Sequence, residues 1–504
     1  MADTKREIER KYEADENAGL SDLPDLTRVP GVSAVIDKGV AELDAVYYDT
    51  ADQRLAAASL TLRRRTGGDD AGWHLKLPVS DGVRDEIRAP LSDTVPRALA
   101  GLVRSRVRDA ELVPVVRLLS ARDVRHLVDG SGGLLAEVSV DRVRAERLSG
   151  GDGTAEWTEI EVELADDGDP AFLDKVEKKL RKAGVSRSTS ASKLVRALDE
   201  TGRKARKEPV VAAPPVTAGD HVLAYVRAQR DAIVELDPAV RRDVFDAVHS
   251  MRVATRRLRS TFRSYGNVLD RGVTDPLRDE LKWLAGELGV DRDQEVLTER
   301  LTAALAGLPR PLLAGPVRGR LRTWAHARRA GSRRRLVAVL DGGRYLDLLV
   351  SLDALLATPP LRGAAADTTG KAVTKAVRKD FDKLSALVGR AVDLPPGEGR
   401  DLAIHEARKK TKRTRYAAEL ATAVLGGPAK SLAGDMKSLQ GLLGEHQDSV
   451  MARLTLRDLA AQAHAAAESA FTYGVLYGRE ERLAASVEAA LPEAWETIRS
   501  GTSV

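Results

Sequence analysis

The chain has 504 residues, of which 43% are hydrophobic, 31% charged and 4% aromatic, and it contains no cysteine. This length is too great for a single core, and the lack of cysteine excludes disulfides, thiolate metal sites and cysteine nucleophiles. The net charge of +5 is uneven: residues 1–200 carry 31 basic and 38 acidic residues, and the other 304 carry 49 and 37. A basic half predicts a polyanionic partner, whether nucleic acid, an anionic membrane surface or polyphosphate.

The start of the chain, MADTKREIERKYEADE, is charged where a signal peptide would be apolar. No apolar run reaches the roughly 18 to 20 residues that a membrane-spanning helix needs. We therefore expect a cytoplasmic protein without a membrane partner. The segment 201–219, TGRKARKEPVVAAPPVTAG, has a proline pair and no amphipathic period. It predicts a linker between one domain at 1–200 and another at 220–500.

Alternating runs in the first domain predict antiparallel strands: REIERKY, LDAVYYDT, SLTLRRR, GWHLKLP, LLAEVSVDRV and WTEIEVEL. The run PAFLDKVEKKLRKAG predicts a helix between a proline start and a glycine stop. Because side chains alternate along a strand, EIERK places Glu7, Glu9 and Lys11 on one face. The same count groups Arg63 with Arg65, His74 with Lys76, Arg84 with Glu86 and Arg88, Glu137 with Asp141, and Glu159 with Glu161 and Glu163.

For any one of these strands, a charged face turned to solvent is the simpler interpretation. Taken together, the faces favour a barrel with a polar interior, where acids and bases from different strands meet. Carboxylates in such a cavity would hold Mg²⁺ or Mn²⁺, and the lysines and arginines would neutralise phosphate oxygens.

After the linker, apolar residues recur every three or four positions, which predicts helices. The run VHSMRVATRRLRSTFRSYG from Val248 recurs as IHEARKKTKRTRYAAELAT from Ile404, an offset of 156. The run LKWLAGELGVDRDQEV from Leu281 recurs as MKSLQGLLGEHQDSV from Met436, an offset of 155. Two matches at nearly the same offset predict a duplicated helical bundle, with copies at about 220–360 and 361–500.

Each copy carries basic residues along one helix face. A charged helix face is ordinarily a solvated one, but residues 249–263 contain five arginines and no acid to balance them. This imbalance favours a bound polyanion. The candidate ligands are His249, Arg252, Arg256, Arg259, Arg263 and Lys282 in the first copy, and Lys371, Lys375, Arg378, His405, Arg408, Lys409, Lys412, Arg415 and Lys437 in the second.

The N-terminal motifs resemble the CYTH family of triphosphate tunnel enzymes. They are ExExK, YYDT, LTLRRRTGG, WHLKLP, EIEVEL and SASKLVRAL. The resemblance implies an eight-stranded closed tunnel that hydrolyses inorganic triphosphate or an organic triphosphate with Mg²⁺ or Mn²⁺. It implies catalysis by Glu7, Glu9 and Lys11, metal binding by Glu7, Glu9, Glu159 and Glu161, and phosphate binding by Lys11, Arg63, Lys76, Arg84, Arg122 and Lys193, with Arg117 as a further candidate.

One position departs from the family pattern. Many members have an arginine two residues before the position of Arg63, and this chain has Thr61. Arg65 lies on the same strand face and is the candidate to replace the lost phosphate contact. Weak activity, or an altered substrate preference, is the alternative.

The helical half resembles the CHAD family through H-x-x-R-x-x-x-R-R-x-R, its second form H-x-x-R-K-K-x-K-R-x-R, and LG-x-x-x-D after each. This resemblance implies two four-helix bundles with a basic cavity that binds inorganic polyphosphate. The whole chain is then an α+β protein, a triphosphatase acting on inorganic triphosphate or short polyphosphate, tethered to longer chains, with polyphosphate granules as a candidate location.

Two other functions stay open from the sequence alone. One is a non-catalytic polyphosphate-binding protein, if Thr61 has disabled the tunnel. The other is a nucleic-acid-binding protein, which is disfavoured because few aromatic residues stand among the bases, with Tyr265 and Tyr416 the nearest. The sequence does not decide the metal, the oligomeric state or whether the triphosphate is inorganic.

Overall fold

The structure is a computed structural model that describes residues 3–13, 23–202 and 214–502. Within these ranges, the side chains of residues 3, 290–293 and 328–332 are outside the description. The chain divides into two compact units, 1–211 and 212–504. Most of the predicted linker, residues 203–213, lies outside the described residues.

The first unit is a closed barrel of eight antiparallel strands, which confirms the predicted fold class. Its strands are β1 (Asp3–Glu13), β2 (Ala34–Asp49), β3 (Thr61–Thr66), β4 (Gly72–Ser80), β5 (Val83–Ala89), β6 (Val113–Val128), β7 (Leu134–Arg147) and β8 (Thr154–Leu164). Around the barrel they follow the order β1-β5-β4-β3-β2-β6-β7-β8. Four helices accompany them: α1 (Arg54–Ala57), α2 (Arg97–Val107), α3 (Ala171–Lys182) and α4 (Lys193–Thr201).

The apolar side chains of this barrel face outward, where three helices cover them. Leu173 and Val176 of α3 join a cluster with Val138 and Ile160. Residues of α2 pack in the same way against β3, β4 and β5, and residues of α4 pack against β6, β7 and β8. The helix predicted from PAFLDKVEKKLRKAG is α3. Since apolar residues take the outer faces of the strands, the alternate positions are left to line the interior.

The second unit is entirely helical in its described part. Its helices are α5 (Ala218–Arg241), α6 (Ala247–Ser264), α7 (Arg271–Glu287), α8 (Gly289–Ala306), α9 (Val317–Asp341), α10 (Gly343–Ala357), α11 (Lys371–Asp393), α12 (Glu398–Leu425), α13 (Gly427–Ala465) and α14 (Phe471–Gly501). One hydrophobic core runs through both copies of the repeat. No helix among the described residues has the length and apolar character to cross a membrane.

The helices recur at the offset seen in the sequence. Adding 156 to the bounds of α6 gives 403–420, which lies inside α12. Adding 155 to α7 and α8 gives 426–442 and 444–461, so the single long helix α13 corresponds to two helices of the first copy. The break between α7 and α8 falls at Leu288 and Gly289.

Candidate functional site

A cavity of about 180 Å³ inside the barrel, here called the tunnel cavity, is lined almost entirely by charged side chains. Residues directly opposite each other in antiparallel strands share a face, so the charged strand faces converge. The lining includes the predicted Glu7, Glu9, Lys11, Arg63, Arg65, Lys76, Arg84, Arg122, Glu161 and Lys193. Arg117 does not belong to this lining. It pairs with Asp44 at 2.7 Å, and its side chain is 42% exposed.

The two carboxylates of β1, Glu7 and Glu9, are buried in the tunnel cavity and already paired with bases. Glu7 Oε2 lies 2.5 Å from Lys76 Nζ, and Glu9 Oε1 lies 3.5 Å from both Lys11 Nζ and Arg84 Nη1. Burial raises the pKa of Glu7, although Lys76 opposes the shift. Burial acts on Glu9 in the same sense, but Lys11, Lys76 and Arg84 outweigh it and lower the pKa of Glu9 to about 2. The two acids of the ExExK motif therefore differ in basicity.

A second acidic group lies on β7 and β8. Ligand oxygens of Asp141, Glu159 and Glu161 all lie within 4.8 Å of one another, and all three residues are buried. Lys193 Nζ, at the start of α4, contacts the three carboxylates at 2.8, 2.6 and 2.7 Å. Arg122 contacts Asp141 and Glu161 at 2.7 Å each. Burial opposes ionisation, but the neighbouring bases hold the pKa of Glu161 well below its usual range.

These carboxylates are hard oxygen ligands of the kind that Mg²⁺ and Mn²⁺ accept. Of the predicted metal ligands, Glu159 and Glu161 belong to the group on β7 and β8, and Glu7 and Glu9 do not. Asp141 was absent from the predicted ligands. Strand alternation had placed it on a charged face, but no motif marked it.

Glu86 on β5 is a third buried acid of the tunnel cavity, and sequence reasoning assigned it no role. Its carboxylate lies 2.9 Å from His74 Nδ1, 2.5 Å from Arg88 Nε and 3.7 Å from Arg63 Nη2. Burial disfavours its charge, but His74 and the nearby bases hold the pKa of Glu86 well below its usual range. Burial lowers the pKa of His74 to about 4. The alternation that grouped Glu86 with Arg84 and Arg88 was the available signal.

Thr61 lines the tunnel cavity, as its strand position predicted. Arg65, the candidate to replace the missing arginine, also lines the cavity but forms an ion pair with Asp70. Burial and the charge of Arg63 lower the pKa of Arg65 to about 9. Arg65 would have to leave Asp70, or share it, in order to bind a phosphate.

In the helical unit, both copies place an arginine of the basic face against a glycine of the LG-x-x-x-D element. A Cβ on Gly289 would lie 2.9 Å from Nη2 of Arg252. A Cβ on Gly444 would lie 3.7 Å from Nε and Nη2 of Arg408. These two arginines and these two glycines are pairs that the repeat had aligned. At Gly289 the absence of a side chain is needed for the guanidinium to lie this close, whereas at Gly444 a methyl group would fit.

The basic faces of α6 and α12 meet around Lys412. Burial and the charges of Arg408, Arg256 and Arg252 together lower the pKa of Lys412 to about 7. Asp448 on α13 is the acid that opposes them. We call Arg252, Arg256, Arg408 and Lys412 the basic cluster. Four of the predicted polyanion ligands are thus brought together.

The two predicted histidines differ in their surroundings. His405 Nδ1 makes a hydrogen bond with Gln447 Oε1 on α13. His249 is exposed and lines a separate cavity with Asp246, Glu295 and Glu299.

Two further predicted ligands, Arg415 and Arg259, are partly buried. Arg415 contacts Glu419 and Gln440, and burial lowers the pKa of the half-buried Arg259. The remaining candidates are exposed: Arg263, Lys282, Lys371, Lys375, Arg378, Lys409 and Lys437. Their side chains are accessible to a ligand, and their role stays a prediction.

The first unit is a closed barrel with paired acids and bases inside it, as in a tunnel domain. The same chain also carries a duplicated helical unit. The CYTH domain model matches residues 5–198, and the CHAD domain model matches residues 224–457. The chain belongs to the proteins that join a CYTH domain to a CHAD domain.

Two uncharacterized proteins of Mycobacterium tuberculosis, from strains CDC 1551 and H37Rv, are similar over nearly the whole length. Each is 37% identical over 513 residues, which cover 98% of this chain and 97% of the relative. Among solved structures, PptA from Streptomyces chartreusis is 23% identical with a TM-score of 0.47, covering 56% of this chain and 99% of that one. The CHAD domain from Ricinus communis is 23% identical with a TM-score of 0.43, covering 59% and 97%.

Proposed function

We propose that the CYTH domain is a metal-dependent triphosphatase that acts on inorganic triphosphate or short polyphosphate, and that the CHAD domain binds inorganic polyphosphate. One observation carries the first part: carboxylates and bases from seven of the eight strands, all except β2, meet in one cavity inside the barrel. A triphosphate is a chain of closely spaced anionic oxygens. It needs bases along its length and an oxygen-bound cation, and this lining offers both.

The carboxylates fit a hard divalent cation because they are buried oxygen ligands and three of them lie close together. Glu159 and Glu161, with Asp141 beside them, would hold one ion, and Glu7 and Glu9 on β1 are the other proposed ligands. When bound, Mg²⁺ or Mn²⁺ would neutralise phosphate oxygens as charge moves to the leaving group. Lys11, Lys76 and Arg84 already contact these acids, so they stand where phosphate oxygens would lie beside the ion.

Phosphoryl transfer has a loose transition state, so positioning and charge neutralisation account for most of the catalysis. Arg63, Lys76, Arg122 and Lys193 would fix the phosphate chain and stabilise its leaving end. The attacking water must lose a proton, and Glu7 is suited to accept it because burial raises its pKa while that of Glu9 is about 2. Glu7 thus serves as the general base.

Phosphate release from inorganic triphosphate with Mg²⁺ or Mn²⁺ tests this activity. Glu7→Gln with Glu9→Gln keeps the size of both side chains and removes both charges. We expect a loss of at least 100-fold, because both the general base and proposed metal ligands disappear. Glu156→Gln, at an exposed position of β8, is the matched control and should keep full activity. Equal rates in wild type and the double variant would refute the assignment.

Binding of polyphosphate by the helical domain rests on the basic cluster. The charges of Arg252 and Arg256 from one copy and of Arg408 from the other all act on Lys412, and Asp448 is an acid that opposes them. Mutual repulsion of these charges is relieved by a polyanion, and release of counterions makes such binding sensitive to salt.

Two tyrosines bear on the nucleic-acid alternative. Tyr265 is fully buried and donates its hydroxyl to the Ala417 carbonyl, and Tyr416 is 5% exposed. Neither ring is accessible to stack on a base, which favours polyphosphate over single-stranded RNA. A competition experiment tests the choice, because polyphosphate should displace bound RNA. Arg408→Gln should weaken the binding of polyphosphate. Arg499→Gln is the control and should not weaken it, because Arg499 is exposed and pairs with Glu496. RNA that resists displacement would refute the proposal.

A specific observation favours a second function, a polyphosphate-binding protein without catalysis. Thr61 removes one possible phosphate contact, and Asp70 engages the arginine that would replace it. In that case Asp70→Asn should free Arg65 and raise triphosphatase activity above a low wild-type level. An already rapid wild-type enzyme would exclude this alternative.

A further inference from the structure

Three helices of the CHAD domain bring an imidazole and two carboxylates together. His446 on α13 is fully buried, and its Nε2 lies 3.2 Å from Asp401 Oδ1 on α12 and 3.2 Å from Glu488 Oε1 on α14. The three ligand atoms all lie within 4.8 Å of one another. The residues are 45 and 42 positions apart in the chain, so no sequence motif joins them.

Neither protonation state of the imidazole gives every polar atom of this group a hydrogen-bond partner. A neutral imidazole has at most one proton on Nε2, yet that atom faces two carboxylates at the same distance. A doubly protonated imidazole would carry a second proton on Nδ1, and that atom is buried without a hydrogen-bond partner among the described residues. Leaving such a donor unpaired is unfavourable. A cation between the three atoms would satisfy all of them at once.

The outer atoms of the carboxylates are already oriented. Arg453 contacts Asp401 Oδ2 at 3.2 Å, and Arg400 contacts Glu488 Oε2 at 2.9 Å. Each carboxylate therefore uses one oxygen for an arginine and turns the other toward His446. Hydrogen bonds of this kind hold metal-binding carboxylates in place. The two acids are 22% and 12% exposed, so the open side of the group lies with them.

The spacing fits a transition metal ion. Metal–ligand bonds of about 2.0–2.2 Å in tetrahedral geometry place neighbouring ligand atoms about 3.4 Å apart. Both observed separations are 3.2 Å. Two carboxylate oxygens and an imidazole nitrogen would supply three ligand atoms to such an ion. The imidazole ligand favours Zn²⁺ or Mn²⁺ over Mg²⁺, which prefers oxygen throughout.

We propose that Asp401, His446 and Glu488 form a divalent metal site, for Zn²⁺ or Mn²⁺, that joins α12, α13 and α14. The site is separate from the tunnel cavity and does not depend on the proposed triphosphatase. It also borders the polyanion ligands in sequence. Asp401 lies one helical turn before His405, and His446 precedes Gln447, the partner of that histidine. An ion here would fix α12, the helix that carries Arg408 and Lys412 of the basic cluster, against α13 and α14.

Co²⁺ titration of the full chain tests the site, because cobalt bound to imidazole and carboxylates in low coordination absorbs visible light. Glu7→Gln with Glu9→Gln serves as the background for every sample, which removes two proposed tunnel ligands. We expect His446→Gln to lose one equivalent of Co²⁺, and of Zn²⁺ in equilibrium dialysis. His464→Gln, at an exposed position of the same helix, is the matched control and should lose none.

Asp401→Asn provides a second variant if His446→Gln does not fold, since the aspartate is partly exposed. It should also lose the visible absorption. Unchanged Co²⁺ and Zn²⁺ stoichiometry in a folded His446→Gln or Asp401→Asn protein would overturn the proposal, and the three residues would then be a hydrogen-bonded group only.

Discussion

Replacing Lys193 by methionine probes the densest charge group in the molecule. The ammonium is 8% exposed and contacts Asp141, Glu159 and Glu161 at 2.6 to 2.8 Å. Methionine keeps most of the apolar stem and removes the charge. The substitution therefore measures how much stability the barrel loses when three buried carboxylates no longer share a cation.

The expected loss of stability depends on which hydrogen-bonding or basic partners each carboxylate keeps. Asp141 and Glu161 both retain Arg122 at 2.7 Å. Among the described residues, the partner that Glu159 retains is the indole nitrogen of Trp157, at 2.8 Å. One acid is thus left without a compensating base. Removing one partner of a buried ion pair costs about 3–5 kcal/mol, and we expect the lower end because two of the acids keep a partner. For a unit of this size, about 3 kcal/mol lowers the melting temperature by about 6–12 °C.

Urea unfolding, monitored through hydrogen exchange of the β7 and β8 amides, measures the loss of stability in the barrel itself. Lys5→Met is the matched control, because Lys5 pairs with Glu163 at 2.7 Å but is 35% exposed, and such pairs contribute about 1 kcal/mol or less. Mn²⁺ provides a second readout. In the Lys193→Met protein an ion can take the place of the ammonium, and at about 100 times its Kd it restores about 2.7 kcal/mol.

Two results would refute this reasoning. One is a loss for Lys193→Met that does not exceed the loss for Lys5→Met. The other is equal stabilisation of wild type and Lys193→Met by Mn²⁺, since that would mean the ion does not compete with the ammonium for these carboxylates.

Three further outcomes follow from the charges and close contacts. The ionised form of Glu9, with a folded pKa of about 2 against 4.5 unfolded, stabilises the barrel above pH 4.5, and this stability is lost as the pH falls toward 2. Glu9→Gln should therefore flatten acid unfolding over that range, and an unchanged acid profile would contradict the shift. Lys412, with a pKa of about 7 in the free protein, should take up a proton when polyphosphate binds, so affinity should fall as the pH rises from 7 to 9 by up to about tenfold per unit. Calorimetry in two buffers of different ionisation enthalpy would detect the proton, and Lys412→Met should abolish its uptake; equal uptake in both proteins would assign it elsewhere. Gly289→Ala should weaken polyphosphate binding by displacing Arg252, whereas Gly444→Ala should change it little, because the added methyl lies at 2.9 Å in one case and 3.7 Å in the other. Equal effects of the two substitutions in a binding titration would contradict the close contact.

The barrel was predictable because its charged residues keep strict alternation. In EIERK the inward residues are all ionisable, and the register pairs Glu7 with Arg84 and Lys11 with Glu161 across neighbouring strands. Strand β6 escaped recognition because VPVVRLLS has adjacent apolar residues instead of alternation. The ion-pair partners of each charged residue could not be predicted from the sequence either. In the sequence, nothing distinguished Glu86 from the neighbouring charged residues of its strand. The contact with His74 becomes visible only in the folded sheet.

The helical half was predictable where the repeat fixed equivalent positions. The repeat aligned Arg252 with Arg408 and Gly289 with Gly444, and the structure places each arginine beside the glycine of its own copy. The group around His446 could not be foreseen, since its three residues come from three different helices of the second copy and lie 45 and 42 positions apart in the chain. Helical periodicity assigns a residue to a face, but it does not say which other face packs against it.

The pairing of charges inside the barrel bears on how substrate and metal would enter it. Glu7, Glu9 and Glu161 are each in contact with a base that a phosphate chain would also use. An ion that binds alone must separate a carboxylate from its lysine and leave that lysine buried without a partner. A triphosphate that binds alone leaves carboxylates unpaired in the same way, and an unpaired buried charge is strongly unfavourable. When both bind, the acids turn to the ion and the bases turn to the phosphates, so no charge loses a partner. The same contacts that stabilise the empty tunnel therefore favour joint binding of metal and triphosphate over binding of either one.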